Sequence, residues 1–404
     1  MVEPKLRFSE FKNSWNNYKI EDMFDRVGIP VDLDDTQTYR EIGIRSHGKG
    51  IFHKEETTAT EIGNKRVFWV EPDCFVVNIV FAWERAVAKT TEKENGMIAS
   101  HRFPMYKPKK NIVDLDYITE YFITKRGQNV LILASPGGAG RNKTLGQKEF
   151  AKSVVKLPSL PEQQKIAEFL STIDTVIEKQ KETVSAWEER KKGVMQKLFN
   201  QEVRFKADDG SDFPEWEEKK LCECGRFYTG VGFSEKYQGH KGLDVDVYKV
   251  SDMNIVGNEK YMTLSNNTVD GSIVRQMKTK VITSKCLVFA KVGAAIYGER
   301  KRITTKPFLI DNNMMAFEPY SCLNIEYLHS WSCSVKFSQY AQVGALPSYN
   351  SSDIGIIKIH IPCLTEQQKI ADCLSSLDEV IEKQKATLAA WEELKKGLLQ
   401  QMFV

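Results

Sequence analysis

The sequence predicts an α+β protein: two α/β domains joined by two long antiparallel coiled-coil helices, related by a pseudo-twofold internal repeat. The first observation behind this is self-similarity. The segment from Pro158 to Phe199, PSLPEQQKIAEFLSTIDTVIEKQKETVSAWEERKKGVMQKLF, returns without a gap at Pro362 to Phe403, Glu366 standing 204 residues after Glu162, with roughly two-thirds of the positions identical. The second is that each copy opens alike: Arg7-Phe8 and Trp15 match Arg204-Phe205 and Trp216 after a four-residue insertion. The third is that residues 22–150 and 223–352, between these shared ends, show no run that aligns. A constant frame around variable inserts sets the boundaries at 1–157, 158–200, 201–361 and 362–404.

The repeated segments read as helices. Apolar residues recur at alternating spacings of four and three, at Ile166, Leu170, Ile173, Ile177, Val184, Trp187, Val194 and Leu198, and again at Ile370, Leu374, Leu377, Ile381, Leu388, Trp391, Leu398 and Met402. This is a heptad seam. About 39 residues at ~1.5 Å each give a rod of roughly 58 Å, and two such rods in one chain are most simply buried against each other, antiparallel. Thr365 with Gln368 fits a capping box at the second start, and Pro161 suits a first helical turn.

The inserts carry short apolar runs such as RVFWV, CFVVNIVFAW, NVLILAS, CLVFAKV and MMAFEP, punctuated by Gly, Asn and Asp. Strands joined by loops are expected, with a helix over 323–342. Each insert is the size of one domain.

Composition narrows the function. The chain has 404 residues, 41% hydrophobic and 27% charged, with a net charge of +3. That length needs more than one core, and so small a charge does not by itself mark a nucleic-acid binder. No apolar run approaches a membrane span, and MVEPKLRFSE lacks the apolar core of a signal peptide, so a cytoplasmic location without membrane association is expected. Of the eight cysteines only Cys74 lies in the first half, and Cys363 and Cys373 face Ser159 and Phe169 across the repeat, so reduced structural thiols are expected. Cys222-x-Cys224 has no second metal-ligand pair beside it, and no metal site is expected. Gly293 to Gly298 has Walker-like glycine spacing but continues Glu299-Arg300 where Lys and Ser/Thr are required. With no dinucleotide, methyltransferase, metalloprotease or nuclease signature in the chain, no catalytic residue is nominated.

Several loops interleave basic, amide and aromatic side chains in the manner of DNA contacts: Arg45, His47 and Lys49; His101 and Arg102; Lys107, Lys109 and Lys110; Arg141, Asn142 and Lys143; Lys236; Tyr297, Arg300, Lys301 and Arg302; and Asn312 and Asn313. Arg reads guanine and Asn adenine through paired hydrogen bonds, whereas Lys chiefly meets phosphate. For any one cluster, solvated surface is an equal reading.

The LPxLxEQQKIA entry to each rod, its DxVIEKQK centre, its WEExKKGxxQ end and the KLRF…W start of each half resemble the specificity subunit of type I restriction-modification systems. The resemblance covers the whole architecture, while the inserts match by position and size only. It implies that each insert is a target recognition domain reading one half of a bipartite, asymmetric site on double-stranded DNA. The helices would fix the spacer and dock two modification subunits, which methylate adenine at N6 with S-adenosylmethionine. Restriction subunits using ATP and Mg2+ would complete an endonuclease. A frame that meets two identical partners must be repeated, and this nominates Glu162, Gln163, Gln164, Trp187 and Phe199 with Glu366, Gln367, Gln368, Trp391 and Phe403 as partner-binding. The two tryptophans also fit the seam. A coiled-coil adaptor without DNA readout is the alternative reading.

Overall fold

The computed structural model describes residues 4–137, 143–342, 344 and 346–403. Two compact units divide the chain: Met1–Glu182 with Lys385–Val404, and Thr183–Gln384. Each holds one insert, the opening turns of one long helix and the closing turns of the other. The long helices run over Leu160–Phe199 and Leu364–Met402.

Each insert is entered and left through a short antiparallel ladder, Asn16–Lys19 on Val154–Leu157 in the first unit and Glu217–Lys220 on Lys358–Ile361 in the second. The first turn of the adjoining helix is bolted to the opening segment. Arg7 donates from Nε and Nη2 to the two carboxylate oxygens of Glu162 at 2.7 and 2.9 Å, and Arg204 does the same to Glu366 at 3.2 and 2.9 Å. The next residue ties the frame to the insert. Gln163 accepts from the Asp114 amide and donates to the Ile112 and Pro158 carbonyls, as Gln367 does with Asn324, Cys322 and Pro362. Asp114 and Asn324 are the N-caps of the insert helices Leu115–Ile123 and Ile325–Ser334.

Within each unit the paired rod segments run antiparallel. In the first, Ile166 and Leu170 share a core with Met402 and Phe403, and further along Lys395 lies 2.8 Å from Asp174 and 3.3 Å from Glu120. In the second, Leu198 shares a core with Ile370 and Leu374, and Lys191 pairs with Asp378. Asp174–Lys395 and Lys191–Asp378 are the same pair after the 204-residue shift, so the internal symmetry extends to individual side chains. The insert helix packs on the rod end through equivalent rings, Tyr117 at 5.0 Å from Phe403 and Tyr327 at 5.7 Å from Phe199.

The two inserts share a four-strand plan although their sequences do not align. In the first the order is Phe24–Val27, Met105–Pro108, Phe75–Val77, Val87–Lys89; in the second it is Gly225–Thr229, Met314–Pro319, Leu287–Ala290, Lys301–Thr304, extended by Tyr261–Met262. A further sheet accompanies each, five-stranded in the first insert and three-stranded in the second. Side chains preserve the correspondence. Cys74 accepts at its carbonyl from the Thr90 amide and donates its own amide to the Thr90 hydroxyl, both at 2.9 Å, and Cys286 and Thr304 repeat this at the same distances. The absence of a common run therefore hides a common scaffold, carried by a few non-adjacent residues too sparse for a sequence match.

Two local expectations are corrected. The second rod begins at Leu364, with Gln367 N–H donating to the Cys363 carbonyl, so Thr365 lies inside the first turn and Gln368 turns to Asn324 and Asp372. The helix expected over 323–342 is two elements, Ile325–Ser334 and a short turn at Phe337–Tyr340, because Val335 is extended and buries Phe337 in the core.

Candidate nucleic-acid interface

The four-stranded sheet has two ends with different neighbours. At one, Val77 faces Val87 and Met105 faces Val76; at the other, Phe75 faces Lys89 and Lys107 faces Asp25. The nominated residues divide between these ends.

The first end gathers most of the exposed ones. Ile79 donates to the Arg102 carbonyl and accepts from the Leu145 amide, bringing the His101-Arg102 loop beside the segment that starts at Lys143. Ala82–Glu84 forms a turn closed by Arg85, and the hairpin tip between Thr38–Ile44 and Ile51–Thr58 docks on it. There His47 N–H meets the Glu84 carbonyl, Gly48 N–H meets the Arg85 carbonyl, and the Ser46 hydroxyl donates to the Glu84 carboxylate. His47, Gly48 and Gly50 have positive φ, and a Cβ on Gly48 would stand 2.6 Å from Ile123, so glycine is required there. Arg45, His47, Lys49 and Arg102 are exposed, and the Arg45 guanidinium lies 4.8 Å over the Phe52 ring. His101 closes a cleft of about 240 Å³ with Arg26 and Phe68, its Nδ1 buried without a hydrogen-bond partner.

At the other end, Lys107 donates to the Pro72 carbonyl, Lys109 to the Glu21 carbonyl, and Lys110 lines a cleft with Gln164 and Leu160 of the first rod. Lys110 thus lies beside the first rod and Lys109 at the entry to the insert, while Lys107 is bound within the insert at the end away from the His101-Arg102 loop. Arg141 and Asn142 lie outside the described residues.

The second insert repeats the first end. Lys291 donates to the Asn313 carbonyl and accepts from the Tyr349 amide, the same pattern as Ile79 with Arg102 and Leu145. Asn312-Asn313 thus occupies the place of His101-Arg102, an equivalence invisible in the sequence. Tyr297, 65% exposed, lies on the turn Ala294–Gly298 that corresponds to Ala82–Glu84, and exposed Arg300 follows it. Lys236 is exposed elsewhere, its ammonium 4.4 Å over the Tyr237 ring.

Two nominated residues are tied to the insert's own groups. Lys301, 2% exposed, donates to Glu299 and to the Val335 carbonyl. Arg302 donates to the Asn258 carbonyl, and burial lowers its pKa. Lys301 points inward because its strand, Lys301–Thr304, packs against Ile325–Ser334, where neighbouring His329 is pushed down to about 3 by burial and so stays neutral, whereas Arg302, next along the strand, is half-buried and held by the Asn258 and Lys301 carbonyls.

The partner-facing residues also separate. Glu162, Gln163, Glu366 and Gln367 are buried and hydrogen-bonded inside their own units, and Phe403 is 1% exposed against Tyr117, so these five are framework. Phe199 is half-buried on Tyr327. Gln164 and Gln368 are exposed; Trp187 and Trp391 are half-buried and belong to neither rod core. The sequence did not nominate Arg26, Arg85 or Lys291; strand pairing sets Arg26 opposite Tyr106, and Arg85 and Lys291 lie in the connections at that end.

The model of the type I restriction modification DNA specificity domain matches residues 52–185 and 214–390, one match for each half of the repeat. The chain belongs to that family. Among curated relatives, the type I restriction enzyme MjaVIII specificity subunit of Methanocaldococcus jannaschii is 24% identical over 84% of this chain and 80% of its own. The putative MjaX specificity subunit of the same organism is 22% identical over 98% and 94%. Among solved structures, the S subunit of a type I restriction-modification system from M. genitalium superposes with a TM-score of 0.54 at 14% identity, covering 100% of this chain and 99% of that one. A chain from a structural study of complex assembly and conformational transition of the type I R-M system gives 0.61 at 14% identity, covering 98% of each. The shared fold of these specificity subunits is the one built above: two α/β domains on two long antiparallel helices. Among the described residues no helix is long and apolar enough to cross a membrane, and no cluster of three or more His, Cys, Asp or Glu could hold a metal ion.

Proposed function

We propose that each insert of this specificity subunit reads one half of a bipartite, asymmetric site in double-stranded DNA, and that the paired helices set the spacer and dock two modification subunits. The observation that carries the reading is one frame, reproduced down to Arg7–Glu162 and Arg204–Glu366, holding two inserts whose equivalent loops differ: His101-Arg102 in one, Asn312-Asn313 in the other. Identical partners need identical frames; unlike half-sites need unlike readers. Arg can take a guanine edge and Asn an adenine edge in the major groove, so the two loops suit different bases. Lys143, Arg45, His47 and Lys49 around the first loop, and Arg300 and Tyr297 around the second, supply phosphate contacts and orientation.

In this reading the chain is non-catalytic and cytoplasmic. S-adenosylmethionine, ATP and Mg2+ bind the modification and restriction subunits, and the exposed rod residues Gln164 and Gln368 with the half-buried Trp187 and Trp391 face the modification subunits. The test is methylome sequencing of a host free of other adenine methyltransferases that expresses this chain with its modification subunit. One split motif, methylated in both halves and lost when this chain is omitted, is expected. Methylation that persists without the chain would place recognition in the partner and refute the reading.

A further inference from the structure

A cleft of about 750 Å³ in the first unit carries positive charge that the function above does not use. Its floor is apolar, with Ile177 and Phe403, and its rim holds Arg85, Lys125, Arg126 and Lys395. Of the opposing carboxylates, Asp174 is already paired with Lys395, and Glu392 lies beside Lys181. No carboxylate pairs with Arg85, Lys125 or Arg126 among the described residues.

Lys125 and Arg126 are the first two residues of the helix Lys125–Leu133, which has no acidic residue in its first turn. Cations at a helix N-terminus oppose the helix dipole. The start of this helix lies close against the preceding one: a Cβ on Gly127 would lie 2.2 Å from the Tyr121 carbonyl oxygen, so glycine is needed there. The Thr124 hydroxyl accepts from the Gly127 amide, and the Lys125 and Arg126 amides, first in the helix, have no acceptor within it.

The second unit shows what belongs there. Arg85 and Glu299 are equivalent, each closing the turn before its strand in a left-handed conformation, φ 60° and 49°. Glu299 sends its carboxylate to the amides of Phe337 and Ser338, at 3.1 and 2.8 Å, the first two of the turn that follows the insert helix. Burial pushes Glu299 up, but hydrogen bonds from Lys301 and Ser338 outweigh it and keep the carboxylate charged. One repeat therefore fills its cradle with its own anion. The other replaces that anion with Arg85, whose Nη1 donates to the Ile123 carbonyl at 3.1 Å while its Nε is buried without a hydrogen-bond partner among the described residues, and surrounds the cradle with further cations.

We propose that this cleft binds a phosphate group, held by the Lys125 and Arg126 amides and side chains with Arg85. Two sources share that chemistry: a free phosphate-bearing ligand, or a backbone phosphate of DNA, since Arg85 also carries the hairpin tip with His47. Only the second source rests on the DNA-recognition reading.

The test uses the full chain and the variant Lys125→Gln/Arg126→Gln, with Lys336→Gln in the second unit as control. Inorganic phosphate is titrated at constant ionic strength and followed by 31P line broadening and by thermal shift. Saturable binding is expected in the wild type and the control, weakened about tenfold or more in the double variant. Without phosphate, that variant should melt at an equal or higher temperature, because the repulsion at the helix start has gone; this separates lost binding from lost folding. A non-specific duplex that displaces the phosphate, together with a salt slope reduced by ~0.9 per lost contact in the variant, assigns the site to DNA. Retained phosphate with an unchanged slope assigns it to a free ligand, and a chain that binds phosphate but no duplex refutes the DNA reading alone. If the double variant changes neither phosphate binding nor the salt slope, the site does not exist.

Discussion

Replacing Arg204 by Met should destabilise the second unit rather than weaken its association with any partner. Glu366 has a fully buried carboxylate that accepts three hydrogen bonds: from Arg204 Nε at 3.2 Å, Arg204 Nη2 at 2.9 Å and Trp216 Nε1 at 3.0 Å. The substitution removes the first two and leaves a buried charge with one neutral donor, a change that costs about 3–5 kcal/mol. For a unit of about two hundred residues, at roughly 2–4 °C per kcal/mol, melting should fall by ~6–20 °C. The equivalent Arg7→Met should cost more, since among the described residues no other side chain donates to Glu162 and the buried Trp15 Nε1 has no hydrogen-bond partner. Scanning calorimetry of the full chain measures both. The double variant Arg204→Met/Glu366→Met should recover most of the loss, because it removes the unpaired charge along with its partner. A fall of less than ~2 °C, or a double variant no more stable than Arg204→Met, would refute the reasoning and return Glu366 to the candidates for partner contact.

His329, held near 3 by burial, is neutral in the folded protein down to that pH, whereas the unfolded chain takes up a proton near 6.5. Its contribution is therefore complete above pH 6.5 and is lost as pH falls, at ~1.4 kcal/mol per pH unit. In urea unfolding from pH 7 to 4.5, His329→Asn should flatten that part of the profile; an unchanged slope would show that the buried imidazole is not its source. For DNA binding by the assembled complex, Arg102→Ala and Arg300→Ala should each lower the affinity. Where the side chain meets phosphate, the salt slope should fall by ~0.9, and where it reads a base the preference at one position should relax. Lys301→Met should leave the salt slope unchanged because that ammonium is buried against Glu299; fluorescence anisotropy across a salt series checks all three.

By itself the sequence determined the architecture, because the evidence for it is repetitive and local. A 204-residue self-match and a heptad seam need no knowledge of the interior, and they located both rods to within a few residues. The family was legible for the same reason: the EQQKIA turn is retained in both copies. What that turn does was not legible. Its repetition suggested a surface shown twice to identical partners, yet Glu162, Gln163, Glu366 and Gln367 are buried, repeated because each frame must grip its own opening segment and its own insert.

The likeness of the inserts was decided only by tertiary structure. Cys74–Thr90 and Cys286–Thr304 span 16 and 18 residues of unrelated sequence and become equivalent through strand pairing alone. The same holds for the candidate interface. A run such as Tyr297 to Arg302 looks uniform as letters, but Arg300 stays exposed just before the strand whose first residue, Lys301, is buried, while hydrogen bonds to Ile79 and Lys291 bring His101-Arg102 and Asn312-Asn313 to matching positions. Local periodicity is written into neighbouring residues; which distant loops meet depends on the sheet that joins them.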